Sequence, residues 1–196
     1  YTAQDYTDVE AVLHHVPHKI TEPMNERLTR PFREEEVKVA LFAMGPTKAP
    51  GCDGFHAGFY QRHWELIGSD VTAAVLGFLN GGPMPAAVNS TVIVLIPKVK
   101  TPAEYTQYRP ISLCNIIYKI CSKVLANHLR EIIDEIIAEE QSAFVPGRLI
   151  TDNVLVAYEC IHSMRIKRGK QGWCAVKINM IKAYDRVEWE YLEGIM

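Results

Sequence analysis

The sequence holds no C-x-x-C pair, no apolar run of membrane-spanning length, no internal repeat and no low-complexity tract. Each absence removes a class of protein. The cysteines are Cys52, Cys114, Cys121, Cys160 and Cys174, an odd set. A disulfide framework is therefore not expected, and small apolar core thiols, reduced in an intracellular protein, are. The longest purely aliphatic stretch, Val92 to Ile96, is far short of a bilayer span, so no membrane partner is expected. Tyr1 to Asp5 show no basic, apolar signal pattern. Nor is there an excess of one charge: the net of −2 excludes a polycation.

What is present suits a folded chain. Of the 196 residues 48% are hydrophobic and 22% charged, enough to bury a sizeable core in one large domain or two small ones. The first residue is Tyr1, not Met, and Met196 falls inside an expected helix with no cap, so a piece of something longer is expected. Charge is unevenly spread. Six basic residues and no acid lie between Ile161 and Ala183. Six more, against Glu104 alone, lie between Thr91 and Arg130. Such stretches suit phosphate backbones, although an ordinary solvated surface has the same composition.

Residues 1–30 read as a polar lead-in with a short helix around Val9–His15. Pro17 prevents His14 and His18 from sharing a helix face, so no metal site is expected there. Arg33–Met44 reads as a helix, with Glu34, Glu35 and Glu36 at its positive end and Val37, Ala40, Leu41 and Met44 as its apolar stripe. A Gly/Pro-dense loop follows, then helices over Phe55–Ile67 and Asp70–Leu79, divided at Gly68. Ser90–Ile96 and Tyr108–Leu113 read as two strands. From Ile116 to Ile137 apolar residues recur every three to four positions, which predicts one amphipathic helix of about six turns, straight or bent. A helix over Asn153–Arg165 capped by Thr151 or Asp152, a strand over Cys174–Asn179 and a helix from Asp185 complete an α+β pattern.

Four stretches, "KAPGCDGF" (48–55), "VLIPK" through "YRPISL" (94–113), "EQSAFVPGRLITDN" (140–153) and "VKINMIKAYDRVEW" (176–189), together resemble the reverse transcriptases of LINE-type, non-LTR retrotransposons, most closely those of plants. The resemblance runs from about Val12 to the end. It implies an RNA-directed DNA polymerase, a nucleotidyltransferase of fingers, palm and thumb. This chain would be a partial right-hand polymerase fold: lead-in 1–30, helical fingers with a β-hairpin over 31–170, and the first strand and helix of the palm over 171–196. The implied partners are an RNA template, a DNA primer and a deoxynucleotide triphosphate.

The resemblance also implies site residues. Nucleotidyl transfer uses two Mg2+ ions, which want hard anionic oxygens. The family's first metal-binding aspartate falls on Asn179, whose amide oxygen brings no charge. Asp185 lies six residues on, about 20 Å away if extended, and reads more simply as a first-turn helix aspartate. The family's adjacent aspartates are absent: no Asp-Asp pair occurs in the sequence. Tight Mg2+ binding and catalysis by this chain are not expected. Lys98 and Arg109 would grip the triphosphate, though two exposed hairpin charges would look the same. The backbone of Lys182 and Ala183 would meet phosphate oxygens. Tyr184 would pack under the sugar, unless it is a core aromatic. Lys48 and Arg148 would contact the nucleic-acid backbone. Two other classes stay open: a nucleic-acid-binding module without catalysis, and a degenerate product.

Overall fold

A computed structural model describes residues 9–167, 172–179 and 183–196. In chain order its elements are α1 Val9–Leu13, α2 Glu22–Thr29, α3 Glu34–Phe42, α4 Ala57–Arg62, α5 Trp64–Leu79, α6 Ala86–Asn89, β1 Val92–Pro97, β2 Tyr108–Leu113, α7 Ile116–Arg130, α8 Ile133–Ile136, α9 Ile150–Ile166, α10 Ala183–Arg186 and α11 Trp189–Ile195. The class is α+β, mostly helical with one β-hairpin, as in part of a polymerase hand. The chain divides into two units, Glu22–Ile133 and the described parts of Tyr1–Thr21 with Asp134–Met196.

The core of the first unit lies where α3, α5 and α7 pack on one another. Val37, Ala40 and Leu41 from α3, Val71 and Val75 from α5, and Ile116, Ile120, Cys121 and Val124 from α7 are all buried. These are the residues the helical spacing puts on one stripe of each helix. α3 begins at three glutamates, and the Glu36 carboxylate accepts the Arg33 N–H at 2.8 Å, satisfying a donor that a helix start leaves open.

Two helix divisions differ from expectation. The helix pair divides at His63, and Gly68 lies inside α5. A Cβ on Gly68 would stand 2.7 Å from the Trp64 ring, so this glycine admits a ring rather than ending a helix. The six-turn helix divides after Arg130 into α7 and α8, while Ile132 stays buried. The sequence also hides α2, which carries Glu22 in its first turn, Arg27 in its last and the buried Met24.

The hairpin pairs Val92 with Leu113 through Pro97 with Tyr108. Most of its residues are exposed. Its connection holds one 3-10 turn, Tyr105–Gln107.

The second unit is thinly packed. Among its described residues only Ser142 and Val145 are buried, and α9 buries none. α9 starts after Leu149 with no side-chain cap, earlier than Thr151 or Asp152 predicts. α1 packs on α11, with Leu13 against Gly194. The expected strand over 174–179 does not form: residues 172–179 have no regular secondary structure and are exposed. Alternating or apolar composition sets strand propensity, but the ladder needs a partner for its N–H and C=O groups, and no described residue pairs with this segment.

Candidate functional site

β1 and β2 bring Lys98 and Arg109 to one end of the hairpin. Arg109 faces Ile96 in the ladder, and the Lys98 N–H donates to the Gln107 carbonyl at 2.7 Å, one step past the paired strands. Strand alternation gives positions 96, 98, 107 and 109 a common face. Both cations are exposed. The Lys98 ammonium is engaged, donating to the Thr106 carbonyl at 2.8 Å. Gln107 braces the same loop by accepting the Ala103 N–H at 2.7 Å.

Lys48 is exposed in the loop before α4. That loop is fastened at several points. The Pro46 carbonyl accepts the Gly58 N–H at 2.9 Å. The Lys119 ammonium, from α7, donates to the Ala49 carbonyl at 2.7 Å. The Cys52 thiol lies 3.6 Å from the Asn115 Oδ1 as a weak donor. Gly51 lies so close to Asn115 that a Cβ there would overlap the Asn115 backbone N and Cα, at 2.6 and 2.7 Å. Asn115 is buried at the start of α7, yet its side chain does not cap that helix. Its amide donates to the Ala87 carbonyl at 2.8 Å, tying α6 to α7. An asparagine directly before an amphipathic run was the available signal for Asn115, and it signals a cap rather than this tie.

Arg148 belongs to the other unit, and the structure turns its guanidinium inward. Nη2 donates to the Asp134 Oδ1 at 2.8 Å, and Nη1 to the Gln141 carbonyl at 2.8 Å and to the Ala138 carbonyl. The carbonyls of Asp134 and Ile137 lie at 3.2 and 3.3 Å from Nη2. The side chain thus closes the end of α8, a task that suits a basic group at a helix C-terminus. In the same loop Phe144 has φ 66° and is exposed.

Asn179 and Ala183 are exposed, Ala183 opening the four-residue α10. Lys182 and the side chain of Tyr184 lie outside the described residues. Among the described residues no three His, Cys, Asp or Glu side chains are grouped to hold a metal ion. Asn179 supplies a neutral oxygen on an irregular segment. This donor set does not fit a two-metal site.

Two clusters were not singled out from the sequence. In the first, the buried His128 sets Nε2 2.8 Å from the Glu36 Oε1. A carboxylate only accepts, so Nε2 carries the hydrogen. Arg30 donates to Glu36 at 3.1 Å and Glu131 at 2.7 Å, and Phe32 stacks on the His128 ring at 4.6 Å. Partial burial raises the Glu36 pKa, but the Arg33 N–H, His128 and Arg30 outweigh it and hold the carboxyl below its ordinary value. The second is a set of rings in and beside α4. Phe59 lies 4.7 Å from Phe55, 5.6 Å from Tyr60 and 4.9 Å from His63 between centroids. Spacings of i, i+4 in the sequence place 55, 59 and 63 together if the segment is helical. Burial, and then the charge of Asp53, push the Tyr60 hydroxyl up.

Comparison with known proteins places these features. The family described as "Reverse transcriptase (RNA-dependent DNA polymerase)" matches residues 96–194, which include the hairpin end, α7 and Asn179. The "Transposon TX1 uncharacterized 149 kDa protein" of Xenopus laevis is 32% identical over 90% of this chain. The "Probable RNA-directed DNA polymerase from transposon BS" of Drosophila melanogaster is 27% identical over 81%. The "Retrovirus-related Pol polyprotein from type-1 retrotransposable element R2" of Popillia japonica is likewise 27% identical over 81%. The chain spans only 13%, 18% and 21% of these relatives' lengths. With half of its residues inside the family's match, the chain belongs to the reverse transcriptases, in the branch of the non-LTR, LINE-type retrotransposons.

Proposed function

We propose that the chain is a fingers and early-palm portion of a non-LTR retrotransposon reverse transcriptase that holds template and primer but does not itself join nucleotides. The observation that carries this is Asn179: a neutral amide stands where the resemblance puts a metal-binding aspartate, in a sequence with no adjacent aspartates. In the intact enzyme Lys98 and Arg109 grip the triphosphate of the incoming deoxynucleotide. The backbone at Lys182 and Ala183 meets its phosphates, and Tyr184 packs under its sugar. Lys48 lies along the nucleic-acid backbone. Arg148 reaches that backbone only by leaving the carbonyls it now closes. The division into 31–170 and 171–196, a plant source and an intracellular setting belong to the same proposal and rest on the four sequence stretches and the cysteines.

Primer extension on an RNA template with Mg2+ tests it. Three proteins are compared: the chain as given, Asn179→Asp, and Asn179→Asp continued through a downstream palm and thumb taken from an active relative. Only the third is expected to incorporate nucleotides, because one carboxylate restores one ligand of three and a lone exposed carboxylate holds Mg2+ loosely through water. Incorporation by either of the first two refutes the proposal.

A further inference from the structure

We infer that the rings of Phe55, Phe59 and His63 form a stacking platform for the bases of an unpaired nucleic-acid strand. This rests on the reading that the chain binds nucleic acid, and adds where bases, rather than phosphates, are held. Phe55 is 44% and Phe59 39% exposed, yet their rings are neither isolated nor loose. Phe59 touches Phe55 on one side and His63 on another. Tyr60 meets both phenylalanines edge-on and packs against the hydrophobic core. The backbone beneath is pinned, because the Gly58 N–H is held by the Pro46 carbonyl and the Phe55 N–H by the Asp53 carboxylate at 3.1 Å. A fixed group of exposed rings presents π-faces that every base matches, so stacking of this kind tolerates any sequence.

Charge selects the occupant. Arg62 lies three residues from Phe59 on the same short helix, and Lys48 in the loop that Pro46 fastens to it; both are exposed. Lys119 is bonded to the same loop. Against these stand Asp53, turned to the Phe55 N–H, and Glu65 one helix on. Aromatic faces beside basic residues fit a strand whose bases stack and whose phosphates meet the cations. An apolar protein segment would use the rings and leave Lys48 and Arg62 without a role.

The test uses the whole chain and a fluorescent single-stranded RNA 12-mer, followed by anisotropy at low salt, with a base-free ribose-phosphate oligomer of equal length as control. Phe59→Leu and Phe55→Leu keep apolar bulk and remove the π-face. Each is expected to weaken RNA binding roughly tenfold and to leave the base-free oligomer unaffected. Phe59→Trp is expected to retain or tighten binding, which separates loss of a ring from loss of fold, with circular dichroism as a second check. If the parent chain binds RNA and both leucine variants bind it equally well, the platform is refuted while the nucleic-acid reading stands. If they lose the base-free oligomer to the same degree, or change the state of association instead, the rings serve the fold or a protein contact and the inference falls. If the parent chain binds no RNA, the inference and the reading beneath it fall together.

Discussion

At the scale of single residues, Gly51 shows why one motif glycine cannot change. The Asn115 backbone occupies the space a side chain would need, and backbone, unlike a flexible side chain, does not move aside. Gly51→Ala is expected to cost about 1–3 kcal/mol, the usual range for overpacking, seen as a lowered Tm. Asn115→Ala is expected to cost a similar ~1–3 kcal/mol by leaving the Ala87 carbonyl without its donor; a Tm unchanged in both variants would refute the tie between loop and helix. Glu36 gives a pH dependence. Its carboxyl has a lower pKa folded than its ordinary value of 4.5, so the folded state binds fewer protons. The stability this contributes is complete above that ordinary value and is lost as pH falls through the folded one. Glu36→Gln should therefore lose less stability than the parent chain between pH 6 and 3. Urea titrations across that range check it, and parallel curves would contradict it.

At the scale of elements, the hairpin and the three-helix core differ in what supports them. Among the described residues β1 and β2 pair only with each other, and a two-stranded ribbon is marginal alone. Hydrogen exchange should therefore be fast for Val92–Ile96 and slow for Ile120 and Val124 in the core; equal protection would show that the hairpin is covered. The same contrast explains what could be read from sequence. Helices α3 and α7 and both strands were legible because their apolar spacing matches their burial or pairing. Gly68 was misread because its role depends on Trp64 lying across it, which no propensity records. The segment 174–179 has strand composition and no ladder, since pairing is a property of neighbours rather than of the segment. Of the candidate site, the role of Lys98 and Arg109 came from the resemblance, whereas their placement at the end of the hairpin was legible from the two strand patterns. The inward turn of Arg148 was not, because its acceptors are backbone carbonyls, invisible in a list of side chains.

At the scale of the whole molecule, the two units should differ in stability. Glu22–Ile133 contains the buried core, whereas the described remainder buries only Ser142 and Val145. Limited trypsin digestion is expected to cut first at Arg165 or Lys167 and to leave Lys38 and Lys123 protected in a fragment near 22–133. A single concerted loss of the chain would count against two-step behaviour. If the chain binds nucleic acid as proposed, through scattered basic stretches, its affinity should fall steeply with salt through counterion release; affinity indifferent to salt would remove phosphate contact from the account.

The bond from the Lys98 ammonium to the Thr106 carbonyl means that the hairpin loop already occupies its own cation. Any anion recruiting Lys98 would first have to displace that carbonyl from a charged donor, a bond of about 1.5–3 kcal/mol, so only a contact stronger than this one would free the ammonium. On the proposal that Lys98 grips a triphosphate, a dilute monovalent anion would leave this bond in place and a polyanion would break it. Ligand charge, rather than ligand shape, would then be the first quantity this hairpin measures.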